Sequence, residues 1–436
     1  MLRANRSFLG FMRDYWILLV SFFFTSTLFS GIQGFSAGYI SSLGASFTVI
    51  SAISFVSSLV SVVIFPFAGY LGDNWGLKKM FVLGPLVGLL ALLVLAFSAT
   101  WHTVALALVL TAVSTALATP SVLAFIGETA TPSRFGIAYG AMFSVLSLCG
   151  ALGSIIVGYL IAYFGYFSGL RILLFASAFL TLVGIAIRLL IKEKRFPKNT
   201  LTDSANIFRR IVSPLQNTQS IAITQAGYMF ALGLSSIWFS FFMTDWLGLT
   251  SWSMGMVVSI SLVAGMISSV FGGFLADRYS KKTIMIVSLL GSAFSTLLLM
   301  YSSTFFLVSF SNALLTASSS LFLPVLNAVI ASFVSSAKRA TAFGMFSSIA
   351  YAGSSISVLI GGYMYEHVSL FVSFYLTTFV LLGVSVYVWR MFPKPPIMLP
   401  PHPGLVCKTC GYENPEGSQF CGKCGTPLGE EETRIY

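Results

Sequence analysis

Apolar positions along this chain gather into long uninterrupted runs separated by short polar segments, with no sustained two-residue alternation. The runs fall at about residues 15–40, 47–71, 80–100, 104–127, 137–164, 169–191, 221–247, 253–276, 283–302, 304–332, 341–365 and 369–392. A helix needs ~20 such residues to cross the hydrocarbon. Lipid offers the backbone no hydrogen bonds, so a span must be a helix or a strand of a closed barrel. Runs of this length without alternation exclude barrel strands and predict twelve transmembrane helices. The first run follows Arg3, Arg6 and Arg13, as the apolar stretch of a signal peptide would. Its length and the absence of a small-residue cleavage site predict a retained first helix instead.

Composition agrees with the pattern. Of 436 residues, 56% are apolar and 8% charged, against ~25% charged in a soluble domain. A net charge of +11 would suggest a nucleic-acid partner in a soluble protein, but here its distribution argues otherwise. With twelve alternating spans, every Lys and Arg except Arg171 falls on one side of the membrane. Basic loops face the cytoplasm, so the expectation is a multi-pass protein of the cell membrane with both termini cytoplasmic and no nucleic-acid partner.

The chain divides by its polar interruptions. The expected units are a six-helix bundle at 1–191, a cytoplasmic linker at 192–220 and a second six-helix bundle at 221–392. A proline-rich linker at 393–406, a cysteine module at 407–428 and an acidic tail at 429–436 follow. The two bundles repeat each other at a constant offset of 204 residues, which pairs Gly69 with Gly273, Asp73 with Asp277, Lys78 with Lys282, Pro120 with Pro324 and Gly140 with Gly344. Six spans return each copy to the same side, so the repeats are parallel. Parallel repeats build alternating-access transporters, with the substrate between the halves near the bilayer midplane.

The strongest repeated element is Gly69-Tyr-Leu-Gly-Asp73-Asn-Trp-Gly76-Leu-Lys78-Lys79, returning as Gly273-Phe-Leu-Ala-Asp277-Arg278-Tyr-Ser-Lys281-Lys282. A glycine near a helix end lets helices approach closely. The aspartate that follows suits the N-terminus of a neighbouring helix or an arginine. This doubled loop resembles the signature of the major facilitator superfamily, over roughly residues 10–392. The resemblance implies an all-α membrane fold of two parallel six-helix repeats that moves a small-molecule substrate. It also implies a conformational latch at Asp73 and Asp277, with Glu128, Arg134 and Arg339 matching the family's acid-then-arginine pattern. Asn74, Ser280 and Ser332 depart from that pattern, so the latch is expected to be stronger on one side. The bland alternative is that these residues only set topology and loop geometry.

No run carries an ionisable residue near its middle; Arg171, Arg188, Asp245 and Arg390 lie near run ends. Charges inside a membrane mark ion pathways, so their absence points to a neutral or amphipathic solute, with efflux as one direction. By the family pattern, the first, fourth, seventh and tenth helices line the cavity, with Gln33, Tyr39, Gln225, Tyr228, Trp238, Asn312 and Asn327 as candidates. Interhelical hydrogen bonds and interfacial anchoring are the plainer roles for such residues. His102 and His367 fall in outer loops with no nucleophile or acid arranged around them, and no phosphate-binding glycine loop is present, so an enzyme is not expected. A monomer is.

Four of the five cysteines form Cys407-Lys-Thr-Cys410-Gly and Cys421-Gly-Lys-Cys424-Gly. Paired thiolates at this spacing close a tetrahedral site suited to structural Zn²⁺; a rubredoxin-like iron site is the alternative, though ten residues between the pairs is short for it. The run resembles a short zinc ribbon. Closed coordination leaves no room for catalysis there, and docking of a cytoplasmic protein partner is one reading. A transporter-like sensor or scaffold built on that docking is the alternative to transport.

Overall fold

In the computed structural model, residues 13–192, 211–215, 218–235, 238–392, 405–406 and 413–414 are described. Among them are twelve helical spans: α1 (Arg13–Ser42), α2 (Phe47–Trp75), α3 (Leu77–Ala96) and α4 (Trp101–Thr129), with α5 (Pro132–Gly165) and α6 (Phe167–Leu189) after them. The second half holds α7 (Gln219–Trp246), α8 (Ser251–Arg278), α9 (Lys281–Met300), α10 (Phe305–Phe333), α11 (Arg339–His367) and α12 (Leu370–Met391). Several helices, among them α1, α2, α4, α8 and α11, overrun the predicted spans by a few residues, whereas α3 ends four residues short of its run and α12 one. Thus His102 lies in the first turn of α4 and His367 ends α11, rather than in loops. Between α5 and α6 the break is at Gly165, whose φ of 79° a residue with a side chain rarely adopts. α7 ends in a π-helical turn at Phe242–Trp246, which is wider than an α-helical turn.

Helix starts differ between the two sides of the bundle. Four of the helices that begin opposite the basic loops cap themselves: Ser46 accepts from the Val49 amide, Thr250 from Ser253, Thr304 from Leu307 and Ser369 from Phe371. Such caps satisfy amides left without partners in a first turn. On the basic side, α5 opens with a 3₁₀ turn at Pro132–Arg134 and is α-helical from Phe135, α11 follows a 3₁₀ turn at Ser336–Lys338, and neither α-helical start has a side-chain cap of its own. Their amides are satisfied from the other half of the molecule, as described below.

The halves meet along two seams. One joins α2 to α11 and the other joins α5 to α8. Glycine makes both possible: a Cβ placed on Gly69 would lie 2.3 Å from the Ala340 carbonyl oxygen, and one on Gly273 2.4 Å from that of Gly136. Two apolar clusters fill the interior, one around Phe81, Tyr139, Phe322 and Phe343, the other around Phe35, Phe242, Met254 and Phe374. Separately, β1 (Leu405–Val406) pairs antiparallel with β2 (Glu413–Asn414), with Leu405 opposite Asn414.

Candidate functional site

The two motif aspartates fill the gaps left at the starts of α5 and α11. Asp73, at the end of α2, accepts the amides of Ala340 at 3.0 Å and Thr341 at 2.8 Å and the Thr341 hydroxyl at 2.6 Å. Asp277, at the end of α8, accepts the amides of Gly136 at 2.8 Å and Ile137 at 2.9 Å. Each carboxylate therefore sits at the positive end of a helix dipole belonging to the opposite half. The 204-residue register relates all four contacts: 73 to 277, 136 to 340 and 137 to 341. Only the third bond is unmatched, because Ile137 stands where Thr341 stands in the other half.

The remaining motif residues serve these two contacts or the loops beside them. Gly76 turns the chain at a φ of 112°, whereas its counterpart Ser280 sits at −60°, so the second loop follows a different path. Lys78 donates to the Leu189 carbonyl at 2.8 Å, at the last residue of α6, where a cation complements the dipole. Lys79 and Lys282 lie in the first turns of α3 and α9, and Arg278 lies over the Phe274 ring at 4.0 Å. Lys281 and Arg134 act electrostatically on Asp277, and Arg339 on Asp73.

Arg339 needs a change of register. The structural counterpart of Arg134 is Lys338, since each ends a 3₁₀ turn. Arg339 is buried in the first half instead, over the Phe135 ring at 5.4 Å, with its Cδ against Gly127 of α4. Glu128 and Arg339 both act on Tyr139, which places the acid and the arginine around one buried phenol.

The amide donors Ala340, Thr341, Gly136 and Ile137 escaped the sequence reading, as did Gly127. The repeat contained a signal for the donors, because both pairs follow the same kind of turn at the same register. Pro66 was missed as well. Proline has no amide, so the carbonyl four residues earlier loses its helical partner; that carbonyl, on Val62, accepts the Ser348 hydroxyl of α11 at 2.7 Å. Pro85 likewise frees the Phe81 carbonyl, which accepts from Arg188 at 2.7 Å.

Among the expected cavity residues, Tyr39 is buried with its hydroxyl 3.1 Å from Ser98, within the first half. Asn312 donates to Ser261 at 2.7 Å within the second. Both make hydrogen bonds within their own half. Gln33 is exposed and Asn327 buried. Tyr228 packs on Phe322 with centroids 4.1 Å apart, and the Gln225 amide oxygen, one turn away, is buried with no partner among the described residues. The Trp238 side chain lies outside the described residues.

Cys407, Cys410, Cys421 and Cys424 also lie outside them. A donor set of four cysteines in two Cys-x-x-Cys pairs suits a tetrahedral thiolate site.

Comparison with known proteins decides the family. The model of the Major Facilitator Superfamily matches residues 18–244 and 221–405, one match for each half. The chain belongs to this superfamily. It is a multi-pass membrane transporter and not an enzyme, and its residues 406–428 match the zinc-ribbon domain. The quinolone resistance protein NorA of Staphylococcus aureus is 32% identical over 120 residues, 28% of this chain and 31% of that relative. The multidrug resistance protein MdtG of Salmonella typhi is 35% identical over 133 residues, 30% of this chain and 32% of that relative. Neither alignment spans a third of the relative's length. The human organic anion transporter MFSD10 (TETRAN) shares the fold, with a TM-score of 0.69 at 13% identity over 86% of this chain and 99% of that one.

Proposed function

We propose that this transporter exports neutral or amphipathic solutes by alternating access, with its basic loops and both termini in the cytoplasm. The observation that carries the mechanism is the exchange of carboxylates between halves. Asp73 and Asp277 each complete a helix that has no cap of its own, so separating the halves on the basic side exposes four amides and two carboxylates at once. The two sites then act as a latch that holds the cytoplasmic side closed while the other side opens. Efflux of amphipathic compounds is supported by the names of the partial relatives, one tied to quinolones and one to multiple drugs. Tyr228, Phe322 and the free amide oxygen of Gln225 are suited to an aromatic solute that offers one hydrogen-bond donor.

The test is flux of a fluorescent quinolone, a sugar and an amino acid in proteoliposomes. Quinolone movement with little sugar or amino-acid movement is expected. Asp73→Asn should reduce it strongly with normal membrane insertion; full activity in a well-inserted Asp73→Asn protein would remove the latch from the mechanism.

The four cysteines of the ribbon are assigned a structural zinc ion, which would hold the module folded and supply no reacting group.

A further inference from the structure

The latch closes the basic side, but the halves also touch at the opposite end of the same seams. The hydroxyl of Thr48, in the first turn of α2, donates to the carboxylate of Glu366, the penultimate residue of α11. The Ser240 hydroxyl of α7 donates to the Gly34 carbonyl of α1 at 3.2 Å, again crossing the halves. On the second seam, Tyr159 of α5 meets Trp252 of α8 edge to face at 5.9 Å, and Gly158 stacks against Gly255. The two halves are thus in contact at both ends of the bundle.

We propose that Thr48 and Glu366 form the outer gate of the transport cycle, as positioning residues that hold α2 against α11; this rests on the alternating-access reading. Glu366 repeats the logic of the two latch aspartates. Each of the three is a carboxylate at the N-terminal turn of a helix from the opposite half, where the helix dipole favours negative charge. Its setting is different in two ways. Glu366 is exposed to solvent, whereas Asp73 and Asp277 are half-buried. It also has one side-chain partner across the seam, against five hydrogen bonds shared by the two aspartates.

A lone exposed bond exchanges readily with water, so the outer gate opens at smaller cost than the inner latch. The repeat confirms that the pair is specific to one seam, because the counterparts of Thr48 and Glu366 are Trp252 and Ala162. The first seam is therefore gated by a polar bond and the second by an aromatic contact. Breaking the polar bond frees α2 and α11 to part at their outer ends while Asp73 keeps them together at the inner ends.

The experiment uses the full chain in intact cells, with Tyr351→Cys as reporter. Tyr351 packs on Phe65 across the first seam, midway along α11, and a membrane-impermeant maleimide reaches it only when the outer side opens. Modification at position 351 is followed by peptide mass spectrometry. A Thr48→Cys, Glu366→Cys pair should form a disulfide under mild oxidation and cut the labelling rate at least tenfold, with full recovery in dithiothreitol. Thr48→Val and Glu366→Ala should each raise the rate about two- to five-fold, with no further rise in the double variant. Thr48→Ser and Glu366→Gln, which keep the bond, should label as the parent does. Failure of the disulfide to form, or labelling indifferent to it, would overturn the gate. Gated labelling in a protein that moves no quinolone in proteoliposomes would leave the gate in place and reject the substrate reading.

Discussion

The unmatched third bond at Asp73 can be moved from one half to the other. Thr341→Val keeps the volume at that position and deletes only the hydroxyl that Asp73 accepts at 2.6 Å; both backbone bonds remain. A hydrogen bond to a charged group contributes ~1.5–3 kcal/mol when buried. Asp73 is half-exposed, so water offsets part of that loss and about 1 kcal/mol remains. That corresponds to an approximately five-fold larger population with the basic side open. Ile137→Thr performs the opposite change, offering Asp277 the bond that Asp73 enjoys, and should lower the open population by up to the same factor. The reporter is Phe343→Cys, a buried position that faces Tyr139 across the halves with ring centroids 6.0 Å apart. Alkylation there requires the basic side to open, and peptide mass spectrometry separates it from modification at Cys149 or the C-terminal cysteines. The rate should rise about five-fold in Thr341→Val and fall in Ile137→Thr. Equal rates in all three proteins would refute the latch energetics, as would a rise in Ile137→Thr.

Other outcomes follow from the same contacts. Gly69→Ala and Gly273→Ala force a Cβ to 2.3 Å and 2.4 Å from a facing carbonyl oxygen; each should cost about 1–3 kcal/mol by overpacking, read as a lower melting temperature in detergent, while Gly34→Ala, which meets nothing within 4 Å, should melt as the parent does. Arg188 is buried and donates to Ser21, Thr25 and the Phe81 carbonyl. Arg188→Lys keeps a buried charge but loses this forked geometry, so it should melt well below Arg188→Met, by on the order of 3 kcal/mol; equal melting would show that the fork is unimportant. Metal analysis of the purified chain should find one zinc per protein, lost in Cys407→Ser, with the melting of the helical bundle unchanged.

Much of this architecture was legible because lipid leaves the backbone few choices. Run length and the sidedness of Lys and Arg marked the twelve helices, and the 204-residue repeat marked the parallel halves. The repeat also located Asp73 and Asp277. It did not reveal what they hold, since backbone amides carry no sequence signature and Ala340 and Gly136 resemble ordinary small residues of a seam. Arg188 was readable as a charge near a helix end. That it lies fully buried, feeding a carbonyl freed by Pro85, depends on how α1, α3 and α6 pack. The bonds of Tyr39 and Asn312 were hidden for a related reason: a polar side chain in a span looks the same whether it faces a solute or a neighbouring helix.

The repeat is most informative where it fails. Asn312 bonds Ser261 in the second half, while the counterparts in the first half are Leu108 and Ser57, and the Ser57 hydroxyl is buried with no partner among the described residues. Pro66 frees the Val62 carbonyl for Ser348 on the first seam; its counterpart is Val270, and the second seam is built instead on close approach of Gly140 to Ser269. Thr341, Ser348 and Glu366 all lie on α11, and all three bond α2. Polar contacts between the halves are thus concentrated on the first seam, while the second relies on glycine, aromatic packing and the two bonds to Asp277. Polar bonds must break when a seam parts, whereas small residues in contact can slide. Parting the halves therefore breaks more hydrogen bonds along the seam between α2 and α11 than along the seam between α5 and α8, where the two bonds to Asp277 are the main polar cost.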